Sequence, residues 1–163
     1  MVIIEDSRQQ IGKHNLKNEY FSKSDIKVIR SKLPFGDYAL CPHIAVDTKK
    51  DIYELAMDID QDHARFKAEC VGARDHQCKL IILVENEDNV IDLFSLSEWS
   101  ESDGHFQMRK KKSGNARTRK IEGLRLARAC KTMSERYDVT FMFCSPQASG
   151  RMILELLGGK NES

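Results

Sequence analysis

A chain of 163 residues, 40% hydrophobic and 31% charged, has the length and balance of one water-soluble domain with a single core. Its longest apolar run, Leu80 to Val84, is far too short to span a bilayer, so no membrane partner is expected. The net charge of +1 is uninformative as a sum but not as a distribution. From Gly104 to Ile121 there is no acid, while Arg109, Lys110, Lys111, Lys112, Arg117, Arg119 and Lys120 are all basic. Acids gather instead in DTKKDIYELAMDIDQD and ENEDNVID. That segregation suits a protein that meets a polyanion on one side and holds cations in an acidic pocket. The five cysteines form no CxxC pair, and the opening MVIIEDSR turns acidic at once, so a reducing, cytoplasmic setting is expected.

In chain order, Val2 to Glu5 reads as a first strand, and residues 9 to 24 as a loop or short helix. DIKVIRSKL alternates as a second strand, punctuated by Pro34 and Gly36. Asp37 to Leu40 and Ile44 to Thr48 form two strands across Cys41-Pro42-His43. Ile52, Leu55, Ala56 and Ile59 repeat at helical spacing, and Phe66, Cys70 and Ala73 continue after a break near Asp60. CKLIILVE lacks polar alternation, the mark of a strand covered on both faces. Asn86 to Trp99 is mixed, and 102–116 reads as a flexible basic loop bounded by Ser and Gly. A helix over Arg117 to Tyr137, a strand at 139–144 and a closing helix capped by Gly158 complete one domain over 1–158, with 159–163 a frayed terminus. The order predicts an α/β fold, a mixed central sheet flanked by helices.

The stretch FGDYALCPHIAVDTKKD carries the chemistry. With the turn centred on Cys41-Pro42, paired residue numbers sum to 83 or 84, and Asp37 faces Val46 or Asp47. Two carboxylates directly opposed across an antiparallel pair repel unless a cation lies between them. Ala45, Asp47 and Lys49 share one face of their strand, with Ile44, Val46 and Thr48 on the other, so Asp37, Asp47 and Lys49 converge while the apolar set turns to the core. Magnesium is usually held by one or two carboxylates, water and a substrate phosphate, and a lysine beside it can serve the attacking water. The bland alternative is a hairpin whose charged edges are simply solvated.

GDY…VDTKKDIYELA resembles the G-D…E-R-K…D signature of the XPF-type nuclease domain, a branch of the PD-(D/E)XK nuclease superfamily. IIEDSRQQ is similar to that family's opening V-D-x-R-E strand, and CKLIILVEN to its later apolar strand ending in an acid. The resemblance implies a restriction-endonuclease-like core and a magnesium-dependent DNA endonuclease, with manganese as substitute metal, acting on branched or flapped DNA. It implies Asp37 and Asp47 as metal-binding acids, Asp6 and Glu85 as further metal candidates, and Lys49 as the catalytic lysine. Thr48 stands where the family has arginine, and Tyr53 where it has a later aspartate, with Asp51 and Glu54 near enough to supply that carboxylate. Relatives use a dimer partner and a helix-hairpin-helix tail, so a homodimer or a helix-hairpin-helix partner protein is implied, and by analogy a phage or mobile-element origin. The rival reading is an inactive XPF-like module that binds DNA or scaffolds.

For DNA contact the candidates are Arg8 and Arg65 near the acids and Arg109, Lys110, Lys111, Lys112, Arg117 and Arg119 in the basic segment, with Trp99 and Phe106 placed to stack on a base. Arg65, on a helix with His63 and Glu69, reads more readily as part of a solvated or ion-paired helix face than as a phosphate contact. His63, Cys70 and Cys78 have no zinc spacing.

Overall fold

Side-chain alternation and turn chemistry assemble six strands into one mixed sheet in the computed structural model. The structure describes residues 1–158 apart from 11, 13, 14, 41, 42 and 115–117. The strands are β1 (Val2–Asp6), β2 (Lys27–Ser31), β3 (Tyr38–Leu40), β4 (Ile44–Lys49), β5 (Lys79–Glu85) and β6 (Thr140–Cys144), in the order β2-β1-β3-β4-β5-β6. β1 and β2 are parallel, β3 runs antiparallel to both β1 and β4, and β4, β5 and β6 are parallel. The fold is α/β, with helices on both faces.

Both faces of β4 and β5 are buried, and the apolar residues divide between them. Ala45, Ile82 and Val84 face α2 (Ile52–Asp60), α3 (His63–Asp75) and α6 (Gly123–Tyr137), packing with Leu55, Phe66, Leu126 and Cys130. Val46, Ile81 and Leu83 face α1 (Asn15–Lys23) and α7 (Ser149–Leu156), packing with Phe21, Tyr38 and Ile153. The expected division of β4 into a core face and a site face is therefore corrected. A central strand has no solvent side, and Asp47 and Lys49 lie in the α2/α3 layer beside a genuine core. Among the described residues no helix is long and apolar enough to cross a membrane.

The basic segment is not a loop. Residues Asp103–Ser113 form helix α5, following the short α4 (Leu93–Glu98) inside the segment that reads as mixed. Ser102 caps α5 by accepting from the His105 N–H, and Gly114, at φ 62°, ends it in the left-handed region. Lys110, Lys111 and Lys112 occupy its last turn, where cations complement the helix dipole. A run of lysines suggests a loop by charge, but lysine is a good helix former once capped.

Helix α6 begins at Gly123, later than the Arg117 start expected, and Arg117 lies outside the described residues. Gly123 lets α6 touch the end of α4, since a Cβ there would sit 2.0 Å from Leu96 O and 2.3 Å from Trp99 O. Gly123→Ala is therefore expected to cost about 3 kcal/mol or more in urea denaturation, the upper range for overpacking. Gly104→Ala, where a Cβ meets nothing within 4 Å, should instead stabilise α5 slightly.

Candidate active site at the end of β4

The β3–β4 register pairs Tyr38 with Val46, Ala39 with Ala45 and Leu40 with Ile44. The pairing ends at Tyr38, and Asp37 lies just before it; the turn residues Cys41 and Pro42 lie outside the described residues. Asp37 precedes β3 and is fixed by its backbone: its N–H donates to Val46 O at 2.8 Å, and its carbonyl accepts from the Asp6 N–H at 2.8 Å. Gly36 permits this approach at φ +67°, where a Cβ would press on Val46 O at 3.0 Å.

The side chains then sort into pinned and unpinned oxygens. Asp37 Oδ2 accepts from the Thr48 N–H (2.9 Å) and the Thr48 hydroxyl (2.5 Å). Lys49 Nζ lies 2.7 Å from Asp47 Oδ2 and 2.5 Å from Asp58 Oδ2, over the Phe66 ring. Both oxygens are buried, and the Lys49 ammonium is their charged partner. Arg65 Nη2 donates to Asp58 Oδ1 at 2.9 Å.

Burial pushes the Asp47 carboxyl up; the Lys49 ammonium offsets part of this, and the nearby Asp37 and Glu69 carboxylates raise it further. Burial alone would lower Lys49, yet Asp47 and Asp58 raise it, so it stays an ammonium. Lys49 is therefore a fixed positive charge and hydrogen-bond donor, not a base.

These groups line two adjoining cavities. One, of about 200 Å³, is walled by Asp37, Asp47, Lys49, Glu54, Asp58 and Arg65 among others. The other, of about 520 Å³, is walled by Asp6, Arg8, Gly36, Asp37, Asp47, Arg65 and Glu69 among others. Gln9, Asp37, Asp47 and Arg65 border both.

No family model matches the sequence, and no curated protein matches it. Among solved structures, XPF from Aeropyrum pernix superposes with a TM-score of 0.64 at 16% identity, covering 100% of this chain and 63% of that one. The same protein in complex with DNA gives 0.63 at 16% identity, over 96% of this chain and 62% of that one. The fold is XPF-like. The chain thus spans less than two thirds of the length of either neighbour.

Within this XPF-like fold the expected residues are only partly brought together. Asp37, Asp47 and Lys49 share one cavity wall. Asp6 borders the larger cavity, but Arg8 and the Leu33 N–H occupy both its oxygens, which holds its carboxyl below the usual range despite its burial. Arg8 in turn is tied to Asp6 and to Leu33 O.

Glu85 is not at the site. It points to the opposite face of the sheet, where it pairs with buried Lys17 and accepts from the Ser149 hydroxyl at 2.8 Å. Its strand neighbours Ile81 and Leu83 share that face, whereas Ile82, paired with Asp47, faces the other.

Asp51 caps α2 by accepting from the Glu54 N–H, and Glu54 accepts from the Lys50 N–H at the rim of the smaller cavity. Tyr53 stacks on His105, centroids 3.5 Å apart, and meets Trp99 edge-on. Trp99 donates to Asp88 and packs on the core, so it is not presented for base stacking. Phe106 lies beneath Arg109 and Lys110. Arg109 is turned inward to Glu101, which corrects its reading as a phosphate contact. Lys110, Lys111, Lys112 and Arg119 remain exposed.

Three residues gain a role that the sequence does not assign them: Asp58, Glu69 and Thr48. Asp58 stands three residues after Leu55 and Glu69 three after Phe66, each an acid on the apolar stripe of its helix. A charge on a buried stripe is the available signal. Glu69 Oε1 accepts from the Gly36 N–H at 3.0 Å and so holds the turn before Asp37. Thr48, a departure from the family pattern, turns out to orient Asp37.

Proposed function

We propose that this protein is a metal-dependent DNA endonuclease. The observation that carries the reading is the buried carboxylate of Asp47, paired with Lys49 at 2.7 Å and sharing a cavity wall with Asp37. Burying such an acid costs stability unless its charge is used.

Among the described residues no three His, Cys, Asp or Glu side chains form a ready-made metal cage. Magnesium asks for less: one or two carboxylates, with water and substrate phosphate completing the shell. Asp37, whose Oδ1 has no donor among the described residues, and Asp47 fit that demand and would hold the ion. Bound there, magnesium supplies a Lewis acid that lowers the pKa of a coordinated water and offsets charge on the attacked phosphate.

The chain's own residues do the rest. Thr48 fixes the Asp37 carboxylate. Lys49, kept charged by Asp47 and Asp58, orients the attacking water and offsets negative charge as the phosphorus–oxygen bond breaks. Arg65, its side chain 65% exposed and bordering both cavities, meets a phosphate as the strand enters.

Flapped, forked and plain duplex DNA, each incubated with magnesium and with EDTA, tests this. Cutting of at least one substrate with magnesium and none with EDTA is the expected result. DNA bound but not cut in magnesium or manganese would leave the rival, an inactive binding module, as the correct reading.

A further inference from the structure

Helix α2 has a second cavity on its other side. About 1010 Å³ in volume, it is enclosed by the C-terminal half of α2, the end of α5 and the residues leading into α6. Its floor is apolar, from Ala56, Met57 and Ile121, and its walls are mainly basic, with Asp60 and Glu122 the acids among them. Arg125 is paired to Asp60 at 2.5 Å, and Lys120 to Asp103 at 2.9 Å. Lys112 and Arg119 line the cavity with no ion pair to their side chains among the described residues.

The walls are built rather than incidental. Glu101, wholly buried, accepts from His105 on α5, from Arg109 on α5 by two bonds and from the Ile121 N–H, and Arg109 also donates to Arg119 O. This network fixes the end of α5 against the approach to α6.

We infer that this cavity seats an unpaired stretch of a nucleic-acid strand, with Lys112 and Arg119 on its phosphates and Met57 under a base. The inference rests on the nuclease reading for its direction: the strand whose scissile phosphate lies at Asp47 continues over α2 into the cavity. A helix with its side chains is about 10–12 Å across, roughly three nucleotides at about 3.4 Å each. Glu54 and Asp58 project from α2 towards the acidic cavity, and Met57 and Gln61 towards the basic one.

Two features favour an unpaired strand over a duplex. A duplex shows a protein its backbone and groove edges, with base faces stacked away, so an apolar floor between cationic walls adds nothing to its binding. An unpaired strand offers both charge and apolar base faces. Helix geometry also divides the lysine run: at about 100° per residue, Lys110, Lys111 and Lys112 point three ways, and only Lys112 of the three lines the cavity. The run is not one clamp.

Fluorescence anisotropy of the full chain in EDTA, with a labelled oligothymidine and a matched duplex across a salt series, provides the test. The double variant Lys112→Glu/Arg119→Glu should weaken single-strand binding at least tenfold. It should also reduce the slope of log affinity against log salt by about 1.4, near 0.7 for each phosphate no longer neutralised. Lys111→Glu should change affinity less than threefold, and Met57→Gln should weaken it several-fold with the slope unaltered. Equal losses at Lys111 and Lys112, equal losses for duplex and single strand, or no loss in the double variant would each overturn the proposal. Because no metal is present, binding is read apart from cutting. Loss of cutting with this binding intact overturns the nuclease reading alone, and normal cutting with no cavity effect overturns the cavity alone.

Discussion

Asp47→Asn is expected to abolish DNA cleavage and to raise the melting temperature in the same protein. Cleavage should fall by about three orders of magnitude, the scale for removing a group that acts on transition-state charge. Stability should rise because the native carboxylate is held where charge is costly: Asp47 is 7% exposed, beside the Asp37 and Glu69 carboxylates. Its folded pKa is raised by burial, so stability is lost as pH climbs from the unfolded carboxylate range towards that raised value. Asparagine has the same shape and no charge, and Lys49 keeps Asp58 as its partner. The gain should be about 1–2 kcal/mol at pH 7, and each kcal/mol is worth roughly 2–4 °C in a chain of this size. Lys49→Met gives the opposite sign. It too should be inactive, but it leaves Asp47 and Asp58 buried, with Arg65 the remaining ion-pair partner of Asp58 among the described residues, a loss of about 3 kcal/mol or more. Thermal melts of both variants beside the cleavage assay decide the matter. An Asp47→Asn protein that melts lower than wild type would make the Asp47–Lys49 pair structural, and one that still cuts would move the chemistry elsewhere.

What is legible in the sequence is what is local. The β4 register follows from the turn, since the pairs Tyr38 with Val46, Ala39 with Ala45 and Leu40 with Ile44 all sum to the expected 84. The buried character of β5 follows from its unbroken apolar run. Glu85 is misread for the same reason. A strand covered on both faces has no polar alternation to say which way its terminal residue points, and only its pairing with β4 decides this. Asp58 and Glu69 reach the site through the packing of α2 and α3 against the sheet, which no spacing within either helix states. Helix α5 is hidden by its own charge, because capping by Ser102 and Gly114 looks, in composition, like the Ser and Gly of a flexible loop. Arg109 reads as a phosphate contact because its partner Glu101 lies eight residues back, outside the acid-free run.

That pair makes the second large prediction, which concerns acid. Glu101 is fully buried, and burial alone would raise its carboxyl. Hydrogen bonds from Arg109, His105 and the Ile121 N–H more than reverse this and hold it at about 2, against an ordinary value of 4.5. A carboxyl depressed in the folded state contributes stability that is complete above its unfolded pKa and drains away as pH falls through the folded one. The contribution, about 3 kcal/mol at neutral pH, should therefore disappear between roughly pH 5 and pH 2. Glu101→Gln should destabilise the protein by a similar amount at pH 7 and flatten the pH dependence of urea denaturation across that window. The variant keeps the shape of the side chain but offers one weak acceptor where Arg109 and His105 require a charge. Its effect should also reach single-strand binding, because undocking α5 separates Lys112 from Arg119 across the basic cavity. A Glu101→Gln protein with the wild-type slope between pH 5 and 2 would mean that Arg109 holds α5 without help from the buried charge, and the acid sensitivity would then have to come from other carboxylates, with Asp6 under Arg8 the next to replace.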